Sequence, residues 1–258
     1  MNKRVVMISA GASGIGLAMA KAFMANDYAV HICDASPAAV EQFQRDYPSA
    51  SASASVTDVS SVEQVDRLFD EIESRYGRLD VLINNAGIAG PTARVGDILP
   101  EEWDKTIAVD LNGVFYCTRR AAALLRDSKG SIINISSSAG LFGYPLRSPY
   151  VAAKWGVIGL TKTWAMEMGP DGVRVNAICP GSVSGPRIDG VIEREAANMG
   201  VSPEDIRDTY LRQTSLRTFV DAEDIAAMAL FLCSDAGSKI SGQALSVDGH
   251  TESLSQSS

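Results

Sequence analysis

Val5-Val6-Met7-Ile8-Ser9-Ala10-Gly11-Ala12-Ser13-Gly14-Ile15-Gly16 joins a short apolar run to a glycine-rich turn. The run has the length and composition of a strand buried on both faces. Beyond the turn, Ile15–Ala25 reads as a helix. Glycines between strand and helix let the backbone turn sharply and approach a diphosphate, whose charge the helix N-terminus meets. A tight turn with no ligand is the other reading, and the strand-to-helix context favours the first.

Outward from this unit the pattern repeats. Arg4–Ile8, Tyr28–Cys33, Ala52–Val56, Leu79–Ile83, Ser131–Ile135, Val173–Ile178 and Ala244–Val247 read as strands. Between them Ala38–Asp46, Val62–Tyr76, Glu101–Arg126, Pro149–Met168 and Asp224–Leu232 read as helices. Repeated β-α-β units predict a single α/β domain, a doubly wound parallel sheet of about seven strands with helices on both faces. No linker or short-period repeat divides residues 1–258. Ser182–Thr218 breaks the rhythm and is expected to be an irregular lid over the substrate. The polar tail, residues 251–258, is expected to fray.

Of the 258 residues 46% are apolar, and the formal net charge is −8. That balance argues against nucleic acid, whose phosphates reward clustered Lys and Arg, and against an anionic membrane surface. The first apolar run is too short for a signal-peptide core or a membrane span, so a cytoplasmic location is expected. Cys33, Cys117, Cys179 and Cys233 are scattered, and no C-x-x-C pair occurs. Buried thiols are expected rather than a metal site. His31 and His250 have no cluster of metal-ligating neighbours in sequence.

Asp34 closes the second strand at the distance expected for a residue that binds an adenosine ribose. A carboxylate accepts hydrogen bonds from both ribose hydroxyls and repels a 2′-phosphate. At ~4 Å and an effective dielectric of ~20, one such charge pair amounts to about 4 kcal/mol. Ala35 and Ser13 offer no compensating cation, which predicts NAD over NADP. A turn or helix-capping carboxylate is the plain alternative.

Tyr150 and Lys154 stand four residues apart at the start of a predicted helix, on one face. A free phenol has a pKa near ~10, so only about one in a thousand is ionised at pH 7. A cation beside it favours the phenolate, and the pair then suits general acid–base chemistry. The same spacing also suits a solvated helix face.

These residues resemble the short-chain dehydrogenase/reductase family, in its single-domain branch, from about Val5 to Gly249. Asn84-Asn85-Ala86-Gly87 is similar to its N-N-A-G, Asn134 to Gly140 to its serine segment, and Tyr150–Lys154 to its Y-x-x-x-K. Pro180-Gly181 is similar to its P-G turn and Val247-Asp248-Gly249 to its closing V-D-G. The resemblance implies a catalytic set of Asn112, Ser137, Tyr150 and Lys154. Tyr150 would exchange the proton, Ser137 hold the reacting oxygen, Lys154 hold the nicotinamide ribose, and Asn112 position a water linking Lys154 to solvent. Ser137 is preferred to Ser136 and Ser138 because it stands thirteen residues before Tyr150, the family spacing.

Gly11, Ser13, Gly14, Ile15 and Gly16 would cradle the diphosphate. Asp34 would meet the ribose, Asp58 and Val59 the adenine, and Asn85, Ala86 and Gly87 the adenosine side. Pro180, Gly181 and Val183 would face the nicotinamide, with Asn84 structural. Relatives acting on hydroxy acids or sulfonates carry a cation at the place of Arg147. With Tyr144 and Arg187 this implies a small polar, possibly anionic, secondary alcohol as substrate, and a surface or subunit-contact role is the alternative for Arg147. A 3-oxoacyl carrier-protein reductase and a non-catalytic NAD-binding sensor are the rival readings. A homotetramer is expected from the resemblance. Three departures stand out: Ser9-Ala10 for the usual Thr-Gly, Gly185 for a Thr, and His250 for a second closing Gly.

Overall fold

The computed structural model describes residues 3–252. Its elements run β1 (Val5–Ser9), α1 (Gly14–Ala25), β2 (Ala29–Asp34), α2 (Pro37–Asp46), β3 (Ala52–Val56), α3 (Val62–Tyr76) and β4 (Val81–Asn84). Then follow α4 (Pro100–Ile107), α5 (Gly113–Ser128), β5 (Ser131–Ile135), α6 (Ser148–Met168) and β6 (Arg174–Pro180). The chain closes with α7 (Pro186–Met199), α8 (Pro203–Arg212), α9 (Ala222–Cys233) and β7 (Ala244–Val247). All seven strands are parallel in the order β3-β2-β1-β4-β5-β6-β7. The expected doubly wound sheet is therefore the fold.

The strand order reverses between β1 and β4, where chains leaving neighbouring strands turn to opposite faces. A crevice opens there at the carboxyl ends of the strands. Two apolar layers hold the helices to the sheet. Met19 and Phe23 of α1 pack with Ile225 and Ala229 of α9 on one face. Leu68 and Phe69 of α3, Leu125 of α5 and Trp164 of α6 pack on the other. Each such large side chain contributes roughly 1.5–3 kcal/mol when fully buried. Local signals agree with this packing. Ser61 caps α3 by accepting from the Gln64 amide at 3.3 Å, and the helix stops at Gly77, whose φ is 62°.

Three expectations need correction. Ser182–Thr218 is not irregular, since it carries α7 and α8. Pro186 and Pro203 open those helices rather than break them, because proline at a first turn costs no hydrogen bond. Ser202 and Asp205 form a capping box at α8. The excursion is closed at its base, where Ser184 N donates to Val220 O at 2.9 Å and Val220 N to Ser182 O at 3.0 Å. The tail also begins packed. Thr251 is buried, and Glu252 N donates to Gln213 O at 3.0 Å. Residues 253–258 lie outside the described residues.

The single long helix expected over Glu101–Arg126 is interrupted by a π turn, Ala108–Asn112, between α4 and α5. The wider turn re-phases the helix and buries Asp110 completely. The four cysteines are free and buried, and burial pushes the Cys117 and Cys233 thiols up to about 12. His31 is buried between Ser53 Oγ at 2.8 Å and Ser55 Oγ at 3.1 Å. Burial pushes its pKa down to about 4, which leaves a neutral structural imidazole at pH 7. Among the described residues no helix is long and apolar enough to cross a membrane.

Candidate active site

A cleft of about 600 Å³ occupies the crevice. At one end Ala10, Ser13, Gly14 and Ile15 line it, and at the other Ser137, Tyr144, Arg147, Tyr150 and Lys154. Pro180, Gly181, Val183 and Arg187 form part of the wall between. Gly11 and Gly16 lie outside the lining and shape the turn from beneath. A Cβ on Gly11 would stand 2.6 Å from Ile32, and one on Gly16 would overlap the Ala10 carbonyl. A Cβ on Gly14 would meet nothing within 4 Å. The turn therefore offers open space before the first amides of α1, which suits a diphosphate.

The Ser9-Ala10 departure has a structural answer. Ser9 Oγ accepts from the Asn85 and Ala86 amides, both at 2.9 Å. Asn85 Nδ2 donates back to Ser9 O at 3.0 Å and Ala10 O at 3.1 Å. The hydroxyl and the amide clamp the turn after β1 to the turn after β4. Ala10 sits at a φ of 49°, a left-handed conformation that costs an L-residue roughly 1–2 kcal/mol. The clamp offsets that cost.

Two cations stand near the Tyr150 ring. Lys154 Nζ stands 5.5 Å and the Arg147 guanidinium 5.4 Å from its ring centroid. Lys154 is buried and donates to Ile135 O at 3.1 Å, so its ammonium is held in one place. Among the described residues the Tyr150 hydroxyl has no hydrogen-bond partner, which leaves it available to a ligand.

The three serines divide their work. Ser136 Oγ donates to Lys154 O and Ser138 Oγ to Pro180 O, each at 2.9 Å and buried. Ser137 Oγ only accepts, from the Ala139 amide at 3.1 Å, and its proton remains free to donate into the cleft. The geometry thus separates Ser137 from its neighbours on physical grounds.

Arg147 is neither a surface nor a loosely held residue. It is 4% exposed, with Nη2 donating to Ala89 O at 2.6 Å and Nη1 to Thr92 Oγ1 at 3.4 Å. The guanidinium also covers the Tyr144 ring at 5.6 Å. Among the described residues no carboxylate stands within ion-pair distance of it. Arg187 reaches from α7 across the cleft to Gly87 O at 3.0 Å.

Several expected residues lie elsewhere. Asn112 does not line the cleft; the residue of its turn that reaches Lys154 is Asp110, with Oδ2 3.6 Å from Nζ. Two positions apart on a helical turn put them on different faces. Gly87 lies at the reaction end rather than the adenosine side, because a Cβ there would stand 3.3 Å from Lys154 Nζ. Asp34, Asp58, Val59 and Ala86 also lie outside the lining. Asp34 Oδ1 accepts from Ser36 N at 3.0 Å, a turn bond that leaves its other oxygen unbonded among the described residues. Asp58 Oδ1 accepts from Ser60, and Val59 is buried against Gly113. Asn84 is buried and bonds Thr118 and Asn134, as a structural residue does.

Sequence reading also missed Tyr210 and Glu195. The Tyr144 and Tyr210 hydroxyls are hydrogen-bonded, and Tyr210 donates to Glu195 Oε2 at 2.9 Å. Burial pushes Tyr144 up to about 12, so it stays neutral in the cleft wall. Spacing of Ile206 and Tyr210 at i, i+4 was the available signal.

A family model described as enoyl-(acyl carrier protein) reductase matches residues 9–250. A 3-oxoacyl-[acyl-carrier-protein] reductase of Thermotoga maritima is 34% identical, over 95% of this chain and 96% of its own. A D-beta-hydroxybutyrate dehydrogenase of Cupriavidus necator is 33% identical, over 96% of this chain and 98% of its own. The structure of an actinorhodin polyketide ketoreductase variant with NADPH superposes with a TM-score of 0.90 at 30% identity, covering 96% of each chain. The match over residues 9–250, and relatives at 33–34% identity over nearly their whole length, carry the assignment. The chain belongs to the short-chain dehydrogenase/reductase family and is an oxidoreductase of the CH–OH group.

Proposed function

We propose that this protein is an NAD-dependent dehydrogenase that interconverts a small polar, anionic secondary alcohol and its ketone. The observation that carries the reading is the buried, carboxylate-free guanidinium of Arg147 in the cleft wall beside Tyr150. A cation without a counter-ion in a ligand cleft favours an anionic ligand, and an Arg can hold a carboxylate or sulfonate by parallel hydrogen bonds. The hydroxybutyrate dehydrogenase among the relatives accords with this. Asp34 supports NAD, since its unbonded oxygen is free to accept from a ribose hydroxyl and would repel a 2′-phosphate.

The chain's own residues supply the proton chemistry. Tyr150 takes the hydroxyl proton of the alcohol as general base, and returns it in the reverse direction. Ser137 donates to the same oxygen and steadies its charge. Lys154, fixed on Ile135 O, keeps a positive charge beside the phenol and is placed to hold the nicotinamide ribose. Ser13, Gly14 and Ile15 would hold the diphosphate, and Pro180, Gly181 and Val183 the nicotinamide end. The nicotinamide, when bound, accepts the hydride of the carbinol carbon. The family's self-association belongs to the same proposal, as a homotetramer in the cytoplasm. Exposed Trp103, Phe115 and Trp155 on α4, α5 and α6 are apolar side chains it would cover.

The rival reading is a 3-oxoacyl carrier-protein reductase, which the Thermotoga relative favours and which expects NADPH. Steady-state rates with NAD and NADP on hydroxy acids and neutral alcohols separate the two. We expect kcat/KM at least ~10-fold higher with NAD, and Arg147→Ala to weaken hydroxy acids by ~10²-fold more than neutral alcohols, about 3 kcal/mol. Equal rates with both dinucleotides defeat the NAD assignment. An equal effect of Arg147→Ala on both substrate panels removes the anionic substrate.

A further inference from the structure

Lys154 does not act on Tyr150 alone, because a carboxylate is buried behind it. Asp110, on the π turn, is fully buried. Its Oδ1 accepts from Ile88 N at 2.7 Å. Among the described residues its Oδ2 has no hydrogen-bond partner, and it faces Lys154 Nζ at 3.6 Å, beyond hydrogen-bond reach but well within ion-pair range. Gly87 makes the approach possible, since a Cβ there would stand 3.3 Å from both Oδ2 and Nζ.

A fully buried carboxylate with an unbonded oxygen is costly unless a counter-charge pairs with it, and Lys154 supplies that charge. The ammonium beside Tyr150 favours the phenolate, and a negative charge just behind that ammonium opposes it. We propose that Asp110 is a positioning residue that sets the pH at which Tyr150 becomes a base, by partly cancelling the charge of Lys154. The inference rests on the dehydrogenase reading above.

The other groups around the pair leave room for this role. The Arg147 guanidinium, 5.4 Å from the Tyr150 ring centroid, is tied to Ala89 O. Arg187 is tied to Gly87 O. From β6 the neighbour is Cys179, whose thiol burial pushes up to about 11 and which is therefore neutral. Asp248 lies beyond it, accepting from His250 N. On α4, Glu101, Asp104 and Lys105 are exposed, and Glu102 is bound to the Leu99 amide. Tyr144 is neutral. Asp110 is the only carboxylate within 4 Å of Lys154 Nζ among the described residues.

Asp110→Asn keeps the shape and the acceptor for Ile88 N while removing the charge. In alcohol oxidation the acid limb of the kcat/KM profile reports the group that must lose its proton. Without the opposing charge Tyr150 loses its proton more readily, so that limb moves down by about one pH unit, a tenfold change in proton affinity. Asp110→Ser removes the same charge with a smaller side chain and moves the limb the same way, whereas Asp110→Glu keeps the charge and leaves it near the native position. A structural defect alone lowers the rate at every pH and leaves the limb in place. Coincident limbs in the native, Asn and Ser proteins overturn the proposal, as does an upward shift. Failure of both uncharged variants to fold also overturns it, by assigning the carboxylate to holding the fold. A native chain without dehydrogenase activity refutes the functional reading itself, a result distinct from an active chain whose profiles coincide.

Discussion

Tyr150→Phe lowers kcat for alcohol oxidation by about 10³-fold and leaves NAD affinity essentially unchanged. The size follows from general acid–base catalysis, where removing the proton acceptor costs roughly 10²–10⁴-fold. Selectivity follows from the geometry. Among the described residues the phenol oxygen has no partner, so its loss orphans no buried group. The ring lies within 5.5 Å of both the Arg147 and Lys154 cations, and a phenylalanine ring keeps both contacts. Steady-state rates together with a fluorescence titration of dinucleotide binding check the two halves. A variant that keeps its turnover refutes Tyr150 as the base, and one that also loses NAD shows a wider collapse of the cleft.

Gly16→Ala is the second large effect, and it acts on the other end. The added methyl overlaps the Ala10 carbonyl and stands 2.8 Å from Asn85 Nδ2, the donor that holds that carbonyl. The nearest atom is the backbone carbonyl oxygen of Ala10, which cannot swing aside as a side-chain tip can. Either α1 moves away from the turn or the clamp between the turns after β1 and β4 opens. Overpacking of this kind costs about 1–3 kcal/mol of stability. Because the displaced atoms belong to the proposed diphosphate cradle, we expect NAD affinity to fall by about 10²-fold, ~3 kcal/mol. Calorimetric titration and thermal unfolding of the same variant read both changes. Native affinity in a folded Gly16→Ala protein contradicts the cradle.

The sheet was legible because its strands are buried on both faces and so appear as plain apolar runs, separated by helices of ordinary period. Tyr150 and Lys154 were legible because four-residue spacing on a helix is a geometric statement. Other features depend on packing that spacing does not encode. Pro186 and Pro203 open α7 and α8, because a proline's effect depends on whether it falls at the first turn or inside a helix, which the broken rhythm of Ser182–Thr218 does not reveal. The π turn at 108–112 adds a residue to a turn, which a period of 3.6 cannot anticipate, and it turns Asp110 rather than Asn112 toward Lys154. The burial of Arg147 depends on Ala89 O, supplied by the loop after β4, 58 residues away in sequence. Ser137 was chosen by position in the chain. The structure adds a chemical reason, namely that Ser136 and Ser138 donate their protons elsewhere.

The central claim is that one phenol, flanked by two cations, confronts the redox carbon of a nicotinamide within the crevice between β1 and β4. A crystal structure with NAD and a hydroxy acid tests it most directly. The account predicts the Tyr150 and Ser137 hydroxyls both within hydrogen-bond distance of the carbinol oxygen, and the carbinol carbon against the nicotinamide ring. A ternary complex with the Tyr150 hydroxyl turned away from the carbinol, or with the ring held outside the cleft, contradicts it.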